Sequence, residues 1–117
     1  MIILSGNPKS TQHIYKYTCR GKFGQMYMTK EGKDIITKYQ SEAKKQWNKP
    51  PIKGGLSLKI ILYFGDKRTR DIDNYNKISL DSLTGIVYED DSQINKLTII
   101  KDYCKSDPRI EIYVSKE

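Results

Sequence analysis

The chain has 117 residues, with 21 Lys or Arg against 14 Asp or Glu and a formal net charge of +7. This length fits a single domain over residues 1–117 with one modest core. The excess of cations favours a polyanionic partner, because each neutralised phosphate releases condensed counterions; a merely soluble basic protein is the alternative. The apolar residues 1–4 are too few for a signal peptide or a membrane span, so we expect a cytoplasmic protein with no membrane contact.

The first half of the sequence predicts strands and one long helix. In chain order we expect a strand (1–5), a polar loop (6–14), a hairpin (15–20 and 25–28, turning at 21–24) and a helix (30–47). Thr29 stands where it can cap the helix. Four apolar residues recur at helical spacing and predict its buried stripe: Ile36, Tyr39, Ala43 and Trp47.

The second half predicts a core strand followed by a polar loop. Apolar residues alternate with other residues over 56–64, which indicates a strand with one buried face. After it we expect a loop (65–72), a helix from Asp73 or Asn74 to Gly85, and two strands (94–103 and 109–114) that form a C-terminal hairpin turned at 105–108. Since strands and helices do not alternate regularly, the predicted fold class is α+β: a small mixed, mostly antiparallel sheet with two main helices on one face.

The loop after the core strand holds two carboxylates, Asp71 and Asp73. In an extended chain, residues two apart point to the same side, so these carboxylates are neighbours. Paired oxygen ligands suit Mg²⁺ or Mn²⁺. Asp90 and Asp91 precede the next predicted strand and could bring a third carboxylate to the same place. The alternative is structural, because an Asp-x-Asp-Asn sequence can also form an Asx turn and a helix N-cap.

Four cations accompany these carboxylates and are candidates for DNA binding: Lys67, Arg68, Arg70 and Lys77. A phosphodiester nuclease needs both signs of charge, since cations hold the DNA backbone and carboxylates hold the metal. Lys77 follows Asp73 by four residues on the same face of the predicted helix, where its ammonium could stabilise charge on a phosphate. An ordinary ion pair of Lys77 with Asp73 or Asp81 is the alternative.

Other catalytic classes lack the residues that they need. His13 is the single histidine, so a histidine dyad or a zinc hydrolase is unsupported, and we expect His13 in a solvated loop. Cys19 and Cys104 lie far apart with no ligand-like neighbours, so their spacing predicts no zinc site and indicates a reducing environment. A calcium loop counted from Asp71 would need further oxygen ligands, a central glycine and a final glutamate, which this segment lacks.

Two motifs resemble the RusA family of Holliday junction resolvases: D-x-D-N-x-x-K, beginning at Asp71, and D-D-x-Q-I, beginning at Asp90. The resemblance is strong over residues 66–101 and weak towards the N-terminus. It implies a homodimeric crossover junction endodeoxyribonuclease, from bacteria or their phages, that cuts four-way DNA junctions by paired nicks in recombination and repair. It also implies Mg²⁺ or Mn²⁺ held by Asp71, Asp73 and Asp91, with Lys77 essential near the scissile phosphate. We expect no nucleotide cofactor.

Two other functions share part of this pattern. A non-enzymatic DNA-binding module would use the aspartates as structural caps, but such a module gains nothing from carboxylates placed against a basic, phosphate-facing loop. A nuclease for other branched DNA, such as forks or flaps, would share the chemistry and differ in its substrate. A junction-resolving endonuclease near the nucleoid is the leading prediction, and junctions rank above forks only through the resemblance.

Overall fold

The structure is a computed structural model that describes residues 1–11, 15–20 and 23–117, with the side chains of residues 12–27 outside the description. This part of the chain forms, in order, β1 (Ile2–Ser5), β2 (Tyr15–Arg20), β3 (Phe23–Met28), α1 (Lys30–Gln46), β4 (Leu56–Phe64), the 3₁₀ helix Ile72–Tyr75, α2 (Lys77–Leu83), the 3₁₀ helix Asp91–Gln93, β5 (Ile94–Tyr103) and β6 (Arg109–Lys116). The expectation for His13 and part of the predicted hairpin turn, residues 21 and 22, lie outside the described residues.

The main sheet has four strands in the order β1-β6-β4-β5. β6 pairs antiparallel with both β1 and β4, whereas β4 and β5 run parallel. β2 and β3 form a separate antiparallel hairpin, as the sequence predicts, but Phe23 and Gly24 of the predicted turn belong to β3. The expected α+β fold with a mixed, mostly antiparallel sheet is therefore confirmed.

The predicted C-terminal hairpin is wrong. Both of its strands exist, but β4 lies between them in the sheet. The turn residues at 105–108 suggested a direct return, whereas the chain after β4 crosses over through α2 and enters β5 parallel to β4. The other edge of β4 is thereby left for β6. Turn chemistry predicted where these strands end but not which strand lies beside each of them.

α1 forms as the sequence predicts. Thr29 caps it, since its Oγ1 accepts a hydrogen bond from the backbone N–H of Gly32 at 3.1 Å, and the helix ends with Trp47 as its C-cap. All four residues of the predicted stripe belong to the core or pack against it: Ile36, Tyr39, Ala43 and Trp47. Among the described residues, no helix combines the length and the apolar character needed to cross a membrane.

The core lies on one face of the main sheet. Every second residue of β4 is buried there: Leu56, Leu58, Ile60, Leu62 and Phe64. Tyr39 from α1 and Ile78 from α2 join the same cluster, so both helices pack on this face. The opposite face, called the open face below, carries the half-buried or exposed residues of β4: Ser57, Lys59, Ile61 and Tyr63.

Candidate active site

Arg70 holds together the loop that follows β4. Its guanidinium carbon lies 4.3 Å from the ring centroid of Phe64, and its Nη2 lies 2.8 Å from Oδ1 of Asp66. Its Nη1 donates to the carbonyl oxygens of Asp66 and Arg68, both at 3.3 Å. Because these contacts leave only 13% of the side chain exposed, Arg70 is engaged inside the loop, and its contact with DNA stays a prediction.

Two further contacts fix the segment that carries Asp71 and Asp73. On one side, Nζ of Lys101, from β5, donates to the carbonyl oxygen of Arg70 at 3.0 Å. On the other side, Tyr75 packs edge-on against Phe64, with 5.0 Å between the ring centroids. The two aspartates therefore lie on a short stretch of chain that is held at both ends by the last residue of β4 and by β5.

The carboxylates of Asp71 and Asp73 are exposed. Asp71 stands at the N-cap of the 3₁₀ helix Ile72–Tyr75 but makes no capping hydrogen bond through its side chain, and Asp73 lies in the first turn. In the described part of the chain, neither carboxylate has a hydrogen-bond or ion-pair partner. The structural alternative predicted a cap at this position, and the contact that such a cap requires is absent from Asp71.

α2 begins at Lys77 rather than at residue 73 or 74, because the preceding residues first wind as a 3₁₀ helix. Nζ of Lys77 lies 3.2 Å from Oδ2 of Asp81, one turn along α2. The ion pair that the sequence offered as an alternative is therefore present. The two side chains keep exposed fractions of 48% and 30%, so the ammonium group stays accessible from solvent.

Asp90 and Gln93 form a capping box around Asp91. The Asp90 carboxylate accepts a hydrogen bond from the backbone N–H of Ser92 at 3.2 Å, and Oε1 of Gln93 accepts one from the N–H of Asp90 at 2.8 Å. Hydrogen bonds from Ser92 hold the pKa of the Asp90 carboxyl below its usual range. Asp90 thus has a structural role, whereas Asp91 is exposed and has no side-chain partner within the described ranges.

Gln93 ties this box to the chain that leads into β4. Its Nε2 donates to the carbonyl oxygens of Ile52 and Gly54, at 2.8 and 2.9 Å. No separate role was predicted for Gln93 from the sequence. Gln93 stands three residues after Asp90, which is the sequence signature of a capping box, so its capping role could have been predicted.

A buried phenol links Asp91 to the neighbourhood of Lys77. The hydroxyl of Tyr88 donates to the carbonyl oxygen of Leu80, in α2, at 2.7 Å. Burial raises the pKa of Tyr88, and the negative charges of Asp91, Asp81 and Asp90 raise it further. Tyr88 therefore lies within electrostatic range of both Asp91 and Asp81, the ion-pair partner of Lys77.

The three predicted metal ligands do not form a completed site within one chain. Asp71 and Asp73 follow the end of β4, whereas Asp91 precedes β5, whose first residue pairs with the first residue of β4. Among the described residues, no group of three or more His, Cys, Asp or Glu side chains lies close enough to hold a metal ion. The donor chemistry nevertheless fits Mg²⁺ or Mn²⁺, since all three are exposed carboxylates.

A basic cleft of about 400 Å³ lies beside the loop. The cations that line it are Lys67, Arg68, Arg70 and Lys101. The Arg68 side chain is 80% exposed, and Nζ of Lys67 lies 5.0 Å from the ring centroid of Tyr103. Lys101 and Tyr103 were not predicted from the sequence, because only the pairing of β5 beside β4 brings them to this loop.

Comparison with protein families identifies the chain. A model of the family Endodeoxyribonuclease RusA matches residues 5–115. The chain belongs to the RusA family. The match runs from the last residue of β1 into β6 and so includes both acidic segments of the chain. Membership in a family of endodeoxyribonucleases supports a nuclease and confirms the resemblance seen in the two motifs. No curated protein matches the chain.

Proposed function

We propose that this RusA family protein is a divalent-metal-dependent endonuclease that resolves four-way (Holliday) DNA junctions by paired nicks, in recombination and repair. The observation that carries the proposal is the family match over residues 5–115. The state of the carboxylates adds local support. Asp90 is used as a cap, while Asp71, Asp73 and Asp91 stay exposed, with no side-chain partner among the described residues.

Each side chain has a role in this mechanism. Asp71, Asp73 and Asp91 would hold Mg²⁺, with Mn²⁺ as a substitute; such a metal, when bound, stabilises the attacking and leaving oxygens of an in-line displacement. Lys77 donates hydrogen bonds from its ammonium group to the scissile phosphate and stabilises the charge that develops there. The exposed cations of the loop, Lys67 and Arg68, hold the DNA backbone beside this point.

We also propose that the active enzyme is a homodimer joined along β5. This strand lies at one edge of the main sheet and pairs with a single strand in the described part of the chain. Three of its large apolar or aromatic side chains are 37–39% exposed: Leu97, Ile100 and Tyr103. An edge strand with exposed apolar residues is a template for a strand of another chain. A two-fold dimer also supplies the two related sites that paired nicks require.

Antiparallel pairing of β5 with its copy would complete the metal site. Within one chain, β5 begins beside the start of β4 and ends at Tyr103, beside Phe64. In a two-fold dimer, the partner's β5 would begin where the first β5 ends. That arrangement carries Asp91 of the partner subunit towards Asp71 and Asp73. It accounts for the lack of a three-carboxylate group among the described residues of a single chain.

The test is a synthetic four-way junction, labelled in turn on each of its strands and incubated with Mg²⁺, Mn²⁺ or a chelator. We expect symmetric nicks on two opposing strands, dependent on the metal, and no cutting of a linear duplex that contains the same sequences. If forks or flaps are cut faster than four-way junctions, they are the preferred substrates instead. Tight binding without cutting in either metal would leave the protein as a DNA-binding module and contradict the proposal.

A further inference from the structure

A second group of cations lies on the open face of the main sheet. Two rows of side chains cross three adjacent strands, one centred on Ser57 and the other on Lys59. Ser57 pairs with one residue of β5 and one of β6, and so does Lys59. The six side chains line one hollow of about 290 Å³ and are called the donor array below: Ser57, Lys59, Lys96, Thr98, Tyr113 and Ser115.

The chemistry of the donor array suits an anion. Two of the six side chains carry a positive charge, three more carry an aliphatic hydroxyl group that can donate a hydrogen bond, and none carries a carboxylate. The Tyr113 hydroxyl donates to Glu111 at 2.9 Å, which anchors the ring, and Nζ of Lys59 lies 5.9 Å from the centroid of that ring. Cations and hydroxyl groups are the side chains that contact phosphate oxygens in protein–DNA complexes.

The carboxylates on either side of the donor array are already engaged. Glu111 is 7% exposed, and its Oε2 lies 2.7 Å from Nε of Arg109. Beyond the other end of the array, Oε2 of Glu117 accepts a hydrogen bond from the side-chain amide of Asn95 at 2.9 Å. In the described part of the chain, neither lysine of the array has an ion-pair partner. The hollow therefore keeps a net positive charge.

We propose that the donor array is a second DNA-binding surface that contacts the phosphodiester backbone of a junction arm. The choice of DNA rests on the proposed function, whereas the surface itself needs neither the metal nor the nuclease chemistry. Charge complementarity carries the proposal: the array offers two cations and several neutral donors to a polyanion. In a dimer joined along β5, the two open faces would be continuous, with one array on each side of the two-fold axis.

The experiment compares the salt dependence of junction binding in chelator for the wild type and for the double variant Lys59→Ala/Lys96→Ala. Because each phosphate contact contributes about 0.9 to the slope of log affinity against log salt, we expect the slope to decrease by about 1.8. The variant Lys59→Arg/Lys96→Arg keeps the charge and should keep the slope. Lys44→Ala/Lys45→Ala is the matched control, since it removes the same charge from the last turn of α1, on the other side of the sheet.

The outcomes separate the two proposals. A wild-type slope in the double alanine variant overturns the donor array, whatever the cleavage assay gives, and so does an equal decrease in the Lys44/Lys45 control. Failure of the wild type to cut junctions, with the expected difference in slope, would overturn the nuclease proposal alone. Circular dichroism melting of each variant verifies that it is folded, which we expect because both lysines of the array are exposed.

Discussion

Lys77 and Asp81 form an ion pair of 3.2 Å on the exposed side of α2. Ion pairs between exposed side chains contribute at most about 1 kcal/mol, so a phosphate oxygen can replace the carboxylate at low cost. The pair therefore orients the ammonium group without withdrawing it from a substrate. In the proposed mechanism, the ammonium group of Lys77 would exchange the Asp81 carboxylate for the scissile phosphate when DNA binds.

Replacing Lys77 with Ala should lower the cleavage rate on the order of 100-fold or more, because a donor at the reacting phosphate acts mainly on the transition state. Junction affinity in chelator should change little, since one phosphate contact is a small part of the interface. Single-turnover cleavage and fluorescence anisotropy measure the two effects. Asp81→Asn is the control: it removes the orienting charge, keeps the ammonium, and should lower the rate only a few-fold. Equal losses of rate and affinity in Lys77→Ala would make Lys77 an ordinary backbone contact.

Asp71→Asn, Asp73→Asn and Asp91→Asn, made singly, should abolish cleavage in Mg²⁺ while the proteins stay folded. Asn preserves the shape of the side chain but is a weaker ligand for a hard metal ion. Binding in chelator should hold or tighten, because a charge that repels phosphate is removed. Asp90→Asn is the matched control, since Asn caps a helix about as well as Asp. If two of the three site variants cut at near wild-type rates, the proposed ligands are wrong.

Mixing two inactive variants tests whether the site is shared between subunits. Asp71→Asn and Asp91→Asn chains, unfolded and refolded together, form mixed dimers. If Asp91 acts on the partner's metal, one of the two sites in each mixed dimer is intact. Cleavage should then return as a nick in one strand of each junction. If each subunit holds its own metal, both sites stay damaged and the mixture remains inactive. Nick counting on a labelled junction distinguishes the two results.

Ile100→Asp should convert the dimer into a monomer, because the substitution places a charge on the exposed edge strand β5. Light scattering coupled to size exclusion at micromolar concentration measures the mass. Ile72→Asp is the control, since Ile72 and Ile100 are both 37% exposed and only Ile100 lies on β5. A monomeric wild type that still cuts junctions, or a dimer that survives Ile100→Asp, would count against the proposed interface.

Gln93→Ala should destabilise the fold by about 1–3 kcal/mol, because it leaves the carbonyl groups of Ile52 and Gly54 without their donor and opens the capping box. Urea unfolding measures the loss. Glu89→Gln is a control in the same segment: it removes an exposed ion pair of 3.9 Å with Lys53 and should change stability by less than about 0.5 kcal/mol. A Gln93→Ala protein as stable as the wild type would show that the box is not needed.

The sequence predicted those helices and strands that are determined by residues close together in the chain. The cap at Thr29 and the helical spacing of Tyr39 and Ala43 located α1, and strict alternation located β4. The start of α2 was misplaced, because Asp73 is as compatible with a 3₁₀ turn as with an α-helix. The neighbours of β5 and β6 were not predictable in this way, since each strand is paired by residues far along the chain.

The same distinction applies to the candidate site. Chemistry and spacing predicted Asp71 and Asp73 as a ligand pair, and the family resemblance implied Asp91 as the third ligand; all three are exposed in the structure. The sequence pattern did not give the distance between the two acidic motifs. Asp71 and Asp73 follow the end of β4, whereas Asp91 precedes β5, which begins beside the start of β4. The contacts of Arg70 inside the protein could not be predicted from the sequence either, because they depend on the position of the Phe64 ring and of carbonyl groups in the same loop.

The pairing of β1 with β6 has a consequence for biosynthesis. Ile2 and Leu4 pair with Ile112 and Ile110, and among the described residues β6 is the one strand that pairs with β1. As the chain leaves the ribosome, β1 must wait unpaired until β6 has emerged. A nascent chain that stops before residue 109 would expose both β1 and one edge of β4. Unpaired strand edges make such incomplete chains prone to aggregation, and the main sheet can be completed only after the residues of β6 have been synthesised.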